Sequence, residues 1–417
     1  MKLLAGILLL STAVLAQNKT AITGTWEGNA TVRGQQVPVH LEISGSASSL
    51  TAALINGPEK SAASSITFDD NHLLVTFNYF ARTLDAKLES GQLTGTFGTA
   101  TTRYPVVLST GNKPAAPSSS PAPTNISGDW EIQVKSAKGE AAWQLRIEPL
   151  GKSATMHAVI QRIDGDTGSL FGTWNGQNYT VSHFTAAGPA LYTFTPQPDG
   201  TLTVSNLLAA EAQKAQQQNL TARRPAEARK QNLAAPTDST QQTTVKDPNA
   251  PFIFSFPNLQ GNLVSNTDPQ FEGKVVIVAV GGSWCPNCHD EAPFLETPYK
   301  QYHPRGLEIV NLSFEEADQL KDPARLRAFI ARYGITYTVL VAGEPDQLNE
   351  KIPQGVRLNS WPTSFFVGRD GRVKEVHAGF AGPANPEGHA ALEREVTTLV
   401  ENLLAEPAPT QSASTKH

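Results

Sequence analysis

The sequence predicts a multidomain protein in which two all-β repeat domains, each a small barrel or sandwich, precede an α/β domain. Two observations predict this order. The N-terminal half contains a repeat, since Ile22–Glu27 recurs in similar form as Ile126–Glu131. The C-terminal part alternates short apolar runs with segments of helical periodicity, which is typical of an α/β fold. A chain of 417 residues is long enough for two or three domains.

Changes in composition along the chain predict the domain boundaries. Stretches rich in Pro, Ser and Ala, or in Ala and Gln, interrupt the periodic patterns and indicate linkers. The predicted segments are a signal peptide at 1–16, a β-rich repeat at 17–108, a Pro/Ser/Ala linker at 109–124, a second β-rich repeat at 125–206, a partly helical Ala/Gln-rich linker at 207–246, an α/β domain at 247–405 and a disordered tail at 406–417.

Each β-rich repeat is predicted to consist of several short antiparallel strands. Val39–Ile43 aligns with Trp143–Ile147, and both segments alternate apolar with polar residues. A period of two is typical of a strand with one buried face. Because the repeats contain no cysteine and no cluster of histidines or carboxylates, we interpret them as spacer or docking modules. A ligand site at a barrel mouth is the alternative.

The N-terminus predicts export. Lys2 precedes the apolar segment Leu3–Leu10, and small residues ending at Ala16 form a cleavage site before Gln17. This pattern is typical of a secretory signal peptide and predicts a periplasmic or other extracytoplasmic location. An uncleaved N-terminal anchor is the alternative, although the apolar segment is short for a membrane span.

The composition argues against several classes of partner. The formal net charge is −5 and the isoelectric point is about 6.0, so nucleic acid is not an expected partner. A structural zinc ion needs about four ligands, and only His289 is near the cysteines in sequence. We therefore expect no stable metal and no cofactor.

The chain has only two cysteines, and both lie in the segment Trp284-Cys285-Pro286-Asn287-Cys288. Cysteines at this spacing can form a disulfide across one helical turn, which is typical of thiol–disulfide exchange sites. A structural disulfide is the alternative, but such a bond stabilises mainly by closing a long loop, and this loop is very short. The spacing therefore predicts a redox-active pair.

The residues before the pair predict its environment. Lys274–Val280 is a short apolar, β-branched run that predicts a buried strand, and Gly281-Gly282-Ser283 ends it before a helix that begins at Cys285. The unpaired N–H groups and dipole of a helix N-terminus favour the thiolate form of Cys285. Cys288, one turn into the helix, is expected to be more shielded and to act as the resolving thiol.

The rest of the α/β domain is predicted from the same periodicities. The segments are a strand at 307–314, a helix at 322–333 with Asp322 as N-cap and Pro323 at its first position, a strand at 337–341, a hairpin of strands 364–367 and 373–377, and an amphipathic helix at 388–404. His289 is expected to be a solvated helix residue, and His377 an ordinary strand histidine.

The α/β domain also carries several motifs that occur together in one family. They are Phe271-Glu272-Gly273-Lys274, Trp284-Cys285-Pro286-Asn287-Cys288, Glu291, Pro293, Trp361-Pro362-Thr363 and Gly368-Arg369-Asp370-Gly371. With these motifs, residues 251–404 resemble the exported TlpA/ResA-like thiol–disulfide oxidoreductases, which implies a thioredoxin fold. The resemblance does not cover residues 17–246.

The resemblance implies roles for individual residues. Glu291 lies one turn after Cys288 and is suited to hold or accept its proton. A cis peptide bond before Pro362 would expose the backbone of Trp361, so that a substrate chain could pair with it as an extra strand. The implied catalytic residues are Cys285, Cys288, Glu291 and Pro362, with Cys285 and Cys288 as the redox-active disulfide, and the implied substrate-binding residues are Trp284, Trp361 and Thr363.

These features predict an exported thiol–disulfide oxidoreductase that reduces exported proteins with disulfides. By analogy with the family, apocytochromes are candidate substrates in cytochrome c maturation, and a membrane thiol electron donor would regenerate the dithiol. Asn287 carries no charge to stabilise a thiolate, which argues against a strong oxidant. The alternatives are a redox-inert binding or adaptor protein that uses the β repeats, and a thiol peroxidase. Gly282 stands where a peroxidase of this type would carry threonine.

Overall fold

The computed structural model describes residues 22–46, 49–111, 125–150 and 155–407. The predicted signal peptide, most of the predicted linker at 109–124 and most of the predicted tail lie outside the described residues. The chain divides into two compact units. The first comprises the chain up to Gly128 together with Ile147–Ala158 and Ser169–Arg223. The second comprises Asp129–Arg146, Val159–Gly168 and the chain from Arg224 onward.

An antiparallel sheet of nine described strands forms most of the first unit, in the order β4-β3-β2-β1-β9-β8-β7-β6-β5. Its strands are β1 (Gly24–Val32), β2 (Gln35–Ser46), β3 (Ser49–Asn56), β4 (Glu59–Ala62), β5 (Ser65–Asp69), β6 (His72–Phe77), β7 (Arg82–Glu89), β8 (Gln92–Gly98) and β9 (Arg103–Thr110). The predicted alternation is confirmed in β2, where Val39, Leu41 and Ile43 are buried. Trp26 of β1 pairs with Leu41, so both side chains enter the same core.

A second antiparallel sheet begins after residue 125. Its strands are β10 (Gly128–Gln133), β11 (Ala142–Pro149), β12 (Thr155–Arg162), β13 (Gly165–Asp166), β14 (Leu170–Trp174), β15 (Tyr179–Thr185), β16 (Gly188–Pro196), β17 (Leu202–Asn206) and β18 (Leu220–Arg223). Within the first unit, β12, β14, β15, β16, β17 and β18 pair in that order. The predicted all-β character of the N-terminal region is therefore confirmed, whereas its division into two repeat domains stays a prediction.

The segment predicted as an Ala/Gln-rich linker contains regular structure. Strand β18 lies within it and pairs with β17. Its helices are α1 (Lys214–Gln217), α2 (Pro225–Lys230) and α3 (Ser239–Gln242). The helical content agrees with the Ala-rich composition, whereas the strand is formed through pairing with β17.

A five-stranded sheet organises the second unit, in the order β24-β23-β22-β26-β27. The elements from residue 244 onward are β19 (Thr244–Val245), β20 (Ser255–Pro257), β21 (Leu263–Ser265), β22 (Val275–Gly281), α4 (Pro286–Tyr302), β23 (Leu307–Phe314), α5 (Ala317–Lys321), α6 (Ala324–Tyr333), β24 (Thr338–Gly343), α7 (Leu348–Lys351), β25 (Gly355–Val356), β26 (Thr363–Val367), β27 (Val373–Ala378) and α8 (Pro386–Ala405). Strands β22, β23 and β24 are parallel, and β26 and β27 are antiparallel to β22 and to each other. This arrangement is a thioredoxin fold, as the sequence predicts.

The central strand β22 is buried along its whole length. Ile277 packs in one core with Leu295 of α4 and Val400 of α8. Val278, which points to the opposite face, packs in a second core with Phe252. Burial on both faces explains why β22 is a continuous apolar run without alternation. It also holds the carboxyl end of β22, where the cysteines follow, in a rigid position.

Two helix starts differ from the sequence prediction. Helix α6 begins at Ala324 with Pro323 as its N-cap residue, so the prediction of Asp322 as N-cap is wrong. The Asp322 carboxylate pairs with Arg327 instead and does not cap the helix. Helix α8 begins at Pro386, because the Asn385 side chain accepts a hydrogen bond from the Gly388 N–H at 3.2 Å.

Among the described residues, every helix is too short or too polar to span a lipid bilayer.

Candidate functional site

The C-x-x-C pair lies at the first turn of α4. Cys285 is the N-cap residue and Pro286 occupies the first helical position. The Cys288 N–H lies 3.3 Å from the Cys285 sulfur, which accepts its hydrogen bond. Helix N-termini carry unpaired N–H groups that favour negative charge. The structure therefore places Cys285 where the sequence predicts, with its sulfur directed at the helix N-terminus.

Both cysteines are free thiols in this structure, and both are buried. Cys285 and Cys288 are each 3% exposed, so the predicted difference in shielding is wrong. Burial raises the pKa of the Cys288 thiol well above its usual range, and negative charge on Cys285 and on Glu291 adds to the increase. Cys288 therefore needs a proton acceptor before it can react as a thiolate.

Glu291 lies on the buried side of α4, one turn after Cys288. The Ser364 hydroxyl donates a hydrogen bond of 2.8 Å to its carboxylate. Burial raises the pKa of Glu291 to about 8, and the Ser364 hydrogen bond opposes this increase. A carboxyl group of this pKa can exchange a proton near neutral pH, which ordinary glutamates do not.

Three aromatic side chains lie next to the C-x-x-C turn, near the end of β23. The Trp284 indole N–H donates to the Phe314 carbonyl at 2.9 Å. Trp284 and Trp361 meet edge to face with ring centroids 5.3 Å apart, and Phe314 contacts Trp361 in the same way at 5.6 Å. The three rings bring the C-x-x-C turn and the loop before β26 together.

The Trp361–Pro362 peptide bond is cis, as the sequence predicts. The Trp361 N–H, however, donates to the Asp164 carboxylate at 3.2 Å, so the expectation of a free backbone at this position is wrong. Thr363 is fully buried, and its hydroxyl donates to the Ser360 carbonyl at 2.9 Å. Direct contact between Thr363 and a substrate stays a prediction.

The residue before Trp284 belongs to a buried ionic network that sequence reasoning missed. The Ser283 N–H and hydroxyl donate to the Glu315 carboxylate at 2.8 and 2.7 Å. Arg325 donates to Ser283 at 2.8 Å and to Glu315 at 2.9 Å. Glu315 is fully buried, so this pairing fixes the backbone that leads into Cys285. An acidic residue directly after the apolar strand β23 was the available sequence signal.

His289 is buried, so the prediction of a solvated residue is wrong. Its Nε2 lies 2.8 Å from the Ser283 carbonyl oxygen and its Nδ1 lies 3.0 Å from the Tyr333 hydroxyl. Because a carbonyl only accepts, Nε2 must carry the proton and Nδ1 must accept from Tyr333. Burial lowers the pKa of His289 to about 3, so the ring is neutral and braces the same turn as Glu315.

One group among the described residues has the side chains to hold a metal ion. Glu375, His377 and Glu395 have potential ligand atoms within 4.8 Å of one another. His377 is buried on β27, and its Nε2 lies 2.7 Å from the Glu375 carboxylate. This hydrogen bond already gives His377 a partner without a metal.

Comparisons with known proteins match the C-terminal domain. The AhpC/TSA family model matches residues 248–376. The thiol–disulfide oxidoreductase ResA of Bacillus thuringiensis is 28% identical over 136 residues, which are 33% of this chain and 72% of that protein. The ResA protein of Geobacillus thermodenitrificans is 26% identical over 140 residues, which are 34% of this chain and 74% of that protein.

Solved structures are similar over the same part of the chain. A protein from Chlorobium tepidum described as a putative thiol:disulfide interchange protein DsbE is 23% identical, with a TM-score of 0.30. The match covers 38% of this chain and 99% of that structure. StoA from Bacillus subtilis is 18% identical, with a TM-score of 0.26, over 36% of this chain and 99% of that structure.

Proposed function

Residues 251–404 form a TlpA/ResA-like thiol–disulfide oxidoreductase domain, and on this premise we propose that the chain is an exported reductase of protein disulfides. One observation carries the proposal: the Cys285–Cys288 pair at the start of α4 has the buried carboxyl group of Glu291 one turn away. The N-terminal pattern before Gln17 supports export. The neutral Asn287 between the cysteines supports a reducing role.

The proposed reaction has two exchange steps. The Cys285 thiolate attacks one sulfur of a substrate disulfide, a mixed disulfide forms, and the displaced substrate thiolate takes up a proton. Cys288 then loses its proton and attacks the Cys285 sulfur, which closes the Cys285–Cys288 disulfide and releases the second substrate thiol. Two electrons pass from the pair to the substrate. A membrane thiol donor would return them.

Glu291 has a specific part in the second step. The Cys288 thiol holds its proton tightly because it is buried. The Glu291 carboxylate, with a pKa of about 8, is matched to accept that proton without becoming a permanent charge in the core. Ser364 positions the carboxylate by its hydrogen bond of 2.8 Å. We assign Glu291 as the general base for Cys288.

The aromatic residues and the β-rich repeats complete the proposal. Trp284, Trp361 and Pro362 would form the surface that a substrate polypeptide contacts. The buried Thr363 would support the loop that carries Trp361 and Pro362. The two β-rich repeats would act as spacer or docking modules, since their sequence contains no cysteine. Candidate substrates are exported proteins with oxidised cysteines, including apocytochromes.

The reduction potential of the Cys285–Cys288 pair tests the proposal. The full chain would be equilibrated with dithiothreitol and glutathione buffers, and the free thiols counted after acid quenching. A value near about −270 mV is expected for a reductase. A value near about −120 mV would make the protein an oxidant and reverse the direction. Binding activity that survives in a Cys285→Ser, Cys288→Ser variant, with no insulin reduction by the parent chain, would favour the adaptor alternative.

A further inference from the structure

A short β-hairpin lies against the C-x-x-C turn. It is formed by the end of β12 and by β13, where Gln161 pairs with Asp166 and Arg162 pairs with Gly165. Its turn residues are Ile163 and Asp164. The hairpin belongs to the second compact unit, together with the cysteines.

Asp164 makes the central contacts of this hairpin. Its carbonyl oxygen accepts from the Asn287 side chain at 3.1 Å and from the Phe380 N–H at 3.2 Å. Its carboxylate accepts from the Trp361 N–H at 3.2 Å and pairs with Lys138. Asn287 lies between the two cysteines, and Trp361 precedes the cis proline. One residue therefore contacts both loops that border the thiols.

The hairpin backbone lies unusually close to the segment after β27. A Cβ atom added to Gly379 would lie 1.9 Å from the Ile163 carbonyl oxygen. A Cβ atom added to Gly165 would lie 2.5 Å from the Phe380 carbonyl oxygen and 2.6 Å from the Asn287 side chain. Gly165 also forms a parallel bridge with Phe380. Because Gly165 and Gly379 have no side chains, the backbone of the hairpin can approach the backbone of the segment after β27 closely enough to pair with it.

This position has a consequence for the reaction. Thiol–disulfide exchange needs access of a disulfide sulfur to the attacking sulfur, and Cys285 is only 3% exposed. An incoming chain that pairs with the backbone at Trp361 would need the N–H that Asp164 already uses. A polypeptide substrate and the hairpin therefore compete for the same hydrogen-bond donors.

We propose that the hairpin Gln161–Asp166 is an internal occupant of the substrate groove and must leave before a protein disulfide reaches Cys285. The groove is defined by the donors Asn287, Trp361 and Phe380, and it fits a polypeptide segment that offers a carboxylate or carbonyl oxygen to each. The biological role of the hairpin as a barrier to substrate rests on the proposed reductase function. The blocking of Cys285 by the hairpin does not rest on that function, because the accessibility of the thiol can be measured without catalysis.

The test measures alkylation of the reduced full-length protein by iodoacetamide and by a bulky maleimide-polyethylene glycol reagent. Asp164→Ala removes the carboxylate contact, and we expect the Cys285 alkylation rate to rise about tenfold, as expected for one lost charge-assisted hydrogen bond. The increase should be larger for the bulky reagent. Asp346→Ala is the matched control, because it removes an exposed aspartate of the same unit that lies outside the hairpin.

A second variant guards against an indirect effect. Gly165→Val places a side chain where Phe380 and Asn287 already lie, so it should displace the hairpin and accelerate alkylation at least as much. Unchanged or slower alkylation in both variants, with folding verified by circular dichroism, would overturn the proposal.

Hydrogen exchange provides an independent measurement. In a Cys288→Ser protein trapped as a mixed disulfide with a peptide, residues 161–166 should lose protection. Retained protection would show that the hairpin is a fixed wall of the site, which would also overturn the proposal. If the variants are alkylated faster but the protein does not reduce insulin, the proposal that the hairpin blocks access to Cys285 stands. Only the proposed reductase function is then rejected.

Discussion

The two compact units bury different kinds of side chain. In the described part of the first unit, the polar residues exposed by less than a tenth are the uncharged Asn56, Ser169 and Ser205, and burial lowers the pKa of His183 to about 4, so that its ring is neutral. In the second unit, ionisable side chains are buried as well: His289, Glu291, Glu315 and Arg325 lie around the C-x-x-C turn, and others, such as Glu296, Glu308 and His377, lie elsewhere in the unit. Buried ionisable groups are costly unless they are paired or serve a reaction. The four buried ionisable residues that lie around the C-x-x-C turn are therefore the ones that bear on the chemistry of the cysteines.

The four buried groups divide into two sets with different consequences. Glu315 and Arg325 pair with each other and hold Ser283, and the neutral His289 donates to the Ser283 carbonyl, so these three residues support the turn. The Glu291 carboxylate accepts a hydrogen bond from the Ser364 hydroxyl, and burial raises the pKa of Glu291 to about 8. The comparison predicts that the first set governs stability and that Glu291 governs rate.

The largest effect is expected from Cys285→Ser. Serine has no accessible anionic nucleophile near neutral pH, so insulin reduction should fall by at least about a thousandfold. Circular dichroism should be unchanged, because the side chain keeps its size. A rate within tenfold of the parent would exclude Cys285 as the attacking thiol. Cys288→Ser is the companion variant and should instead accumulate mixed disulfide.

Removing one partner of the buried ion pair should come next in magnitude. Glu315→Ala leaves the Ser283 N–H and hydroxyl without their acceptor and leaves Arg325 with only the exposed Glu316 as a carboxylate partner, and we expect a loss of about 3 kcal/mol in the unfolding free energy of the second unit. The control is Glu42→Ala in the first unit, which breaks the exposed pair with Lys60 and should cost less than about 1 kcal/mol. Equal losses measured by urea denaturation would erase the contrast between the two units.

Glu291→Gln should slow the resolving step without destabilising the fold. The amide keeps the shape and a partner for Ser364 but cannot accept the Cys288 proton, so decay of a preformed mixed disulfide should slow about a hundredfold. The parent rate should rise through an apparent group near the pKa of about 8, and the variant should lack that transition. A parallel profile in both proteins would assign the transition to another group.

The smallest effect, taken per pH unit, is a pH dependence of stability. Burial raises the pKa of Glu291 from 4.5 to about 8, so the folded protein holds a proton that the unfolded chain has released. Stability from this group is complete below about pH 4.5 and falls as pH rises through about 8. The slope is at most about 1.4 kcal/mol per pH unit. Urea denaturation of parent and Glu291→Gln should show this decline only in the parent; identical slopes would contradict it.

Sequence reasoning succeeded where the pattern is local. The apolar run of β22, the cysteine spacing, the alternation in β2 and the cis bond before Pro362 were all predicted and are all present. It failed where a residue's partner is distant in the chain. His289 was expected in solvent because its partner Tyr333 lies on another helix. A second failure is local: the pattern predicts Asp322 as the N-cap of α6, but its carboxylate pairs with Arg327 only five residues later.

The amino-acid sequence is sufficient to indicate the chemistry, because two cysteines at this spacing, after a buried strand and before a helix, are typical of thiol–disulfide exchange sites. The tertiary structure alone decided the conditions under which they react. In the folded chain, Glu315 and Arg325 form hydrogen bonds with Ser283, and Asp164 forms hydrogen bonds with Asn287 and Trp361. The physical reason is that burial and hydrogen bonding depend on three-dimensional distance. A carboxylate more than a hundred residues before the cysteines therefore carries no signal of its place until the chain is folded.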